Sequence, residues 1–158
     1  MRRKLLLSAL AFATLAITPA ADAITRKQLR SRSAEICRNA DRAMQPADDK
    51  ANGAAERGDR STFVHYARKS IRIFDPYFDR LANLDPPPRG RTHYLNFIDH
   101  TEKLVYWLSA QVDAVDARRR RKVVVRRGRK AHRQRRLAKR AARNYPLRDA
   151  CVKMLVAN

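Results

Sequence analysis

The chain has 158 residues, with 36 Lys or Arg against 15 Asp or Glu, a formal net charge of +21. Apolar residues at 44% suffice for one modest core, and only four glycines argue against a turn-rich all-β fold. A charge excess of this size directs attention to anionic partners. Arg outnumbers Lys 27 to 9. Two readings of that ratio stand side by side: bidentate grip on phosphate or carboxylate, or a GC-rich genome that spells basic residues as Arg.

The N-terminus reads as an export signal. Met1-Arg2-Arg3-Lys4 is a basic n-region, Leu5 to Ile17 an apolar h-region, and Ala21-Asp22-Ala23 an A-x-A cleavage site before Ile24. Residues 1–23 are therefore expected to be a signal peptide and 24–158 a single helical-bundle domain. An uncleaved N-terminal anchor stays open, although the apolar run is short for a bilayer span. Secretion, or retention in the periplasm or cell envelope, follows from this leader. Two cysteines remain, Cys37 and Cys151. An even count in an exported chain favours a disulfide, with free thiols or pairing between chains as alternatives.

The first helix is predicted from about Thr25 to Met44, with Leu29, Ile36, Ala40 and Ala43 at helical spacing and Cys37 beside them. Pro46 and the polar stretch to Asp59 read as a connection. A second helix opens near Asp59 or Ser61, both acceptable N-caps. Its stripe of Phe63, Ala67, Ile71, Phe74, Phe78 and Leu81 is the clearest periodicity in the chain. Pro76 within it predicts a kink or a division into two helices. Pro86-Pro87-Pro88 and Gly90 stop that element. A third helix follows from about Thr92 to Ala117, with Tyr94, Phe97, Thr101, Leu104, Leu108, Val112 and Val115 on one stripe, flanked by Tyr106 and Trp107.

The fourth helix contains the segment that dominates the charge. From Arg118 to Arg143, fifteen of 26 residues are Arg or Lys and none is acidic. They are Arg118, Arg119, Arg120, Arg121, Lys122, Arg126, Arg127, Arg129, Lys130, Arg133, Arg135, Arg136, Lys139, Arg140 and Arg143. That stretch carries +15 of the +19 left after a leader of net +2 is removed. Val124, Gly128, Ala131, Ala138, Ala142 and Tyr145 trace a thin stripe of small residues, interrupted by Arg135. Seven like-charge pairs at i,i+4 (118/122, 122/126, 126/130, 129/133, 135/139, 136/140, 139/143) oppose helix formation by about 1.5–3.5 kcal/mol before screening. Ala117 to Lys130 is accordingly the least secure helical stretch, stiffened by any anion that binds it. Pro146 stops the helix. In up-down-up-down order its end falls beside the start of the first helix, which suits a Cys37–Cys151 bond.

Three features together resemble a loose group of uncharacterised exported helical-bundle proteins of high-GC bacteria. They are the signal peptide, a Cys in the first helix (Ile36-Cys37-Arg38-Asn39-Ala40), and a helix end Leu81-Ala82-Asn83-Leu84-Asp85-Pro86-Pro87 followed later by Tyr145-Pro146-Leu147-x-x-x-Cys151. The resemblance implies a disulfide-tied four-helix bundle and brings no activity with it. The departure is the fourth helix, where mixed charge is replaced by a cation block.

Catalytic constellations are sparse. Glu35, Glu56 and Glu102 have no His three residues on, so the di-iron Glu-x-x-His pattern is missing. His93 and His100 share a helix face with Asp99 and Glu102 nearby, which is the best case for a metal-dependent enzyme and more simply a solvated stripe. No Gly-rich phosphate loop, zinc-spaced cysteines or Gly-x-Ser-x-Gly elbow occurs, so no cofactor or metal is expected. Asp48-Asp49 reads as loop solvation, and Asp113 and Asp116 as partners of nearby arginines. For the cation block three readings compete. It binds an anionic envelope polymer or lipid surface, it acts on membranes as an amphipathic helix, or it is a solvated face without a ligand. Few aromatics interleave with it, so nucleic acid is open but not favoured. The expectation is an all-α antiparallel four-helix bundle, non-enzymatic, binding polyanions through its basic helix; a structural or partner-docking bundle is the alternative.

Overall fold

A computed structural model describes residues 24–145, 147 and 149–155. The leader lies outside the described residues, and so does Pro146, the expected helix stop. Five helices follow in order: α1 (Arg26–Glu56), α2 (Arg60–Ala82), α3 (Arg91–Asp116), α4 (Arg121–Asn144) and the short α5 (Asp149–Met154). The four long ones form the expected antiparallel all-α bundle, and no strand occurs among the described residues.

Local chemistry sets most of the boundaries. Thr25 and Gln28 form a reciprocal capping box that starts α1. The helix then passes through Pro46 and ends ten residues later, so the expected connection at 46–59 is largely helical. Pro46 is exposed, and the buried stripe continues beyond it through Ala47, Ala51 and Ala54. That packing outweighs the lost ladder bond and the ring's clash with the preceding turn, which together cost about 3 kcal/mol. Gly58 at φ 70° closes α1, with the amides of Gly58 and Asp59 bonded to the carbonyls of Ala55 and Ala54.

Asp59 caps α2 by accepting from the Thr62 amide at 3.1 Å, and hydrogen bonding to the Thr62 side chain, then to its amide, holds the carboxyl below the usual range. Pro76, also exposed, lies inside an unbroken α2, so the division into two helices does not occur. The proline-rich stop before α3 is as expected. At its end Gly90 adopts φ 90°, and a Cβ there would overlap the Tyr145 ring. The α3–α4 turn repeats the closure of α1. The Arg118 amide reaches the Val115 carbonyl and the Arg119 amide that of Ala114, but the left-handed position (φ 49°) is held by Arg118 rather than glycine. Arg118, Arg119 and Arg120 thus belong to a turn, not to the expected helix.

Packing proceeds in two hairpins. α1 lies along α2 and α3 along α4, α2 joins the hairpins through α3, and α5 touches both α1 and α4. Among the described residues the backbones of α1 and α4 make no direct approach, so α5, which the sequence reading did not foresee, mediates that seam. The helix ends do meet where the Arg26 guanidinium lies 5.6 Å from the centre of the Tyr145 ring. Cys37 and Cys151 form the disulfide, with their Cα atoms 5.0 Å apart, and so lock α5 to α1.

The core gathers Leu29, Cys37, Met44, Phe74, Leu81, Tyr94, Phe97, Leu104 and Tyr145. Each fully buried large apolar side chain contributes about 1.5–3 kcal/mol. Three of its polar members are satisfied locally, whereas the buried Tyr145 hydroxyl has no partner among the described residues. Tyr94 donates to the Leu81 carbonyl at 2.7 Å, Thr101 to that of Phe97 at 2.7 Å and Ser33 to that of Leu29 at 2.8 Å. Burial raises the Tyr94 hydroxyl well above its ordinary pKa, with neighbouring Tyr145 adding to the effect. Small residues bring α4 close to α3: Ala131, Ala138 and Ala142 are buried, and a Cβ on Gly128 would press on the Gln111 amide.

Candidate anion-binding surface

The basic segment divides according to the turn of α4. Its inward stripe is the small-residue one, so residues 100° apart place most cations on the remaining arc. Nine of them on α4 are exposed: Arg121, Lys122, Arg126, Arg129, Lys130, Arg133, Arg136, Arg140 and Arg143. At 3.6 residues per turn they occupy about half the helix circumference, along a rise of about 33 Å. Arg118, Arg119 and Arg120 extend the exposed face across the turn. Twelve of the fifteen expected contacts therefore face outward.

The other three turn toward the protein. Arg127 is half-buried and donates to the Ala110 carbonyl, tying α4 to α3. Lys139 is half-buried, and desolvation together with repulsion from Arg135 and Arg143 pulls its pKa down. Arg135 lies on the inner stripe with its Nε buried and without a hydrogen-bond partner. Burial lowers its pKa, and Asp48 of α1 opposes that shift. An unsatisfied buried donor costs about 1–3 kcal/mol.

The carboxylates seen in ion pairs among the described residues serve cations away from this face. The ion pairs found among the described residues use Arg68, Arg91 and Lys103 as their cations, and His100 also lies against Asp99, all outside 118–143. Asp113 and Asp116, read from sequence as partners of nearby arginines, both bind Arg68 of α2, at 2.8 and 3.0 Å. The two hydrogen bonds raise the Arg68 pKa. Asp48 and Asp49 lie within α1 rather than in a loop.

Two aromatic residues of α3 were missed as neighbours of the basic face, because their distance in sequence hides it. The Lys130 ammonium lies 4.0 Å from the centre of the Trp107 ring, a cation–π contact. Tyr106 stands edge-on to Trp107, with centroids 5.0 Å apart, and is 63% exposed. Antiparallel pairing of α3 and α4 was the available signal, since it sets residue 107 opposite 130.

Two residues of the rival metal reading, Asp99 and His100, are otherwise engaged. Asp99 pairs with Lys103 at 2.7 Å, and His100 Nδ1 lies 3.1 Å from the Gln134 side-chain oxygen. Among the described residues no group of three or more His, Cys, Asp or Glu side chains could hold a metal ion. No helix among them is long and apolar enough to cross a membrane. Comparison with protein-family profiles, curated proteins and solved structures finds no match, which leaves the geometry of the basic face as the basis for a functional reading.

Proposed function

We propose that this is an exported, non-catalytic protein that binds an anionic polymer of the cell envelope through the outer face of α4. The observation that carries the reading is the exposed run of nine cations on α4, continued by three in the preceding turn. Such a surface gains affinity by releasing condensed counterions from a polyanion, without reading its sequence. The basic leader and the intramolecular disulfide support an oxidising, extracytoplasmic setting. A polymer is favoured over a lipid surface because the exposed arc offers Val125 as its sole large apolar side chain among the described residues of α4, whereas membrane-surface helices bury a broad apolar face.

Two variants of equal charge test the proposal against net charge alone. One reverses Arg126, Arg129, Arg133 and Arg140 to Glu on α4, and the other reverses the exposed Arg30, Arg38, Arg42 and Arg57 around α1. Titration with heparin and with teichoic acid should show about a 100-fold loss or more for the α4 variant, at roughly one lost counterion contact per reversed residue, and a much smaller loss for the α1 variant. Equal losses would reduce the effect to overall charge, and unchanged affinity in both would remove the proposal.

A further inference from the structure

Between the two hairpins lies a cavity of about 60 Å³. Its wall includes Met44, Phe74, Leu104, Leu108 and Leu155, drawn from α1, α2, α3 and the end of the chain's last described segment. Thr101 also lines it, but its hydroxyl already donates to the Phe97 carbonyl. Among the described residues Arg135 is the one charged side chain in that wall, and Asp48 of α1 acts on it from outside the wall. Its Nε is the buried guanidinium nitrogen with no hydrogen-bond partner.

This combination has a definite chemistry. An apolar wall with a single convergent cation suits a ligand with an alkyl chain and an anionic head. A carboxylate is the natural acceptor for guanidinium N–H groups, and such a bond is charge-assisted. We propose that the cavity binds a single-chain anionic amphiphile, a medium-chain fatty acid whose carboxylate meets Arg135. At about 10–15 Å³ of such space per water-sized group, 60 Å³ takes about four to six heavy atoms. The carboxylate and the first few carbons fit inside, and the remaining chain extends out of the cavity. The site is separate from the exposed face of α4, so it stands whether or not that face binds polymers.

Octanoate is the probe, titrated into the full oxidised chain at about 0.15 M salt, where long-range charge effects are damped. The ¹³C-labelled methyl groups of Met44 and Met154, which both line the cavity, report occupancy. Octanoate should shift both methyls saturably, and 1-octanol and octyltrimethylammonium should bind at least about tenfold more weakly, the loss of one charge-assisted bond. Arg135→Met, close in volume, should lose about tenfold for octanoate while leaving octanol unchanged. Leu108→Trp, which fills the space and keeps Arg135, should abolish binding of both and covers the case of a poorly folded Arg135→Met. Reversal of Arg126, Arg129, Arg133 and Arg140 should leave octanoate binding intact. Equal binding of octanoate and octanol would assign the Nε to a bound water and overturn the proposal. So would unmoved methyl signals, or binding that appears only after residues 156–158 are deleted, since the tail would then be the occupant.

Discussion

Replacing Cys37 and Cys151 together by alanine tests how the two hairpins are held. The bond joins residues 114 apart in sequence. In the chain-entropy model, releasing a loop of that length restores about 16 cal/mol/K to the unfolded chain, or about 4.8 kcal/mol at 25 °C. Both sulfurs sit in fully buried side chains, so their loss adds a smaller packing term of about 1 kcal/mol. The total, about 5–6 kcal/mol, is a large part of the 5–15 kcal/mol typical of a whole domain. At about 2–4 °C per kcal/mol for chains near this size, Tm should fall by about 10–24 °C. Urea unfolding of the oxidised and double-alanine proteins measures the difference, with equal slopes confirming comparable exposure on unfolding. Hydrogen exchange adds a local signature: α5 amides should lose protection first, because α5 is only six residues long and is locked to α1 through Cys151. A stability loss below about 1 kcal/mol, with α5 still protected, would refute the view that this bond secures the α1–α4 seam.

Three smaller perturbations address particular joints. Gly90→Ala should cost about 2–4 kcal/mol by urea unfolding, from left-handed strain plus overlap with the Tyr145 ring. Tyr145→Phe should be neutral or stabilising by up to about 1 kcal/mol, since the Tyr145 hydroxyl is buried with no partner; a clear loss would show that the hydroxyl is bonded in solution. Asp59→Ala should lower Tm at neutral pH and lose its effect in acid. The folded carboxyl is held below its ordinary 3.8 by the Thr62 hydrogen bonds. Its contribution is therefore complete above that value and disappears as pH falls through the lower folded pKa, so the two Tm curves should converge as pH drops below 3.8.

The stripes of large residues were legible in the sequence. Tyr94, Phe97, Thr101, Leu104 and Val112 are all buried on α3, and Phe74 and Leu81 on α2. The continuation of α1 was not, because Ala47, Ala51 and Ala54 give a faint periodic signal while Pro46 gives a strong local one. Local rules favour a break there, and tertiary burial overrides them. The same limit applies at Arg135. Its place on the stripe of Ala131, Ala138 and Ala142 was visible, but its burial depends on side chains of α1, α2, α3 and α5 gathering around the cavity it lines. Arg118, Arg119 and Arg120 continue the charge run without a break, and only the backbone reveals the turn. Trp107 beside Lys130 is likewise a product of hairpin register. Composition told that the chain is cationic; the fold decides which guanidinium groups meet solvent.

The most direct test is the affinity of the oxidised protein for heparin, measured by calorimetry across salt concentrations. If about five of the exposed α4 cations engage the polymer together, log K should fall against log salt with a slope of about −3.5, roughly a 100-fold loss between 50 and 200 mM. Reversal of Arg126, Arg129, Arg133 and Arg140 should bring that slope close to zero. A slope already near zero in the unmodified protein would contradict the account, because the cationic face would then be releasing no counterions at all.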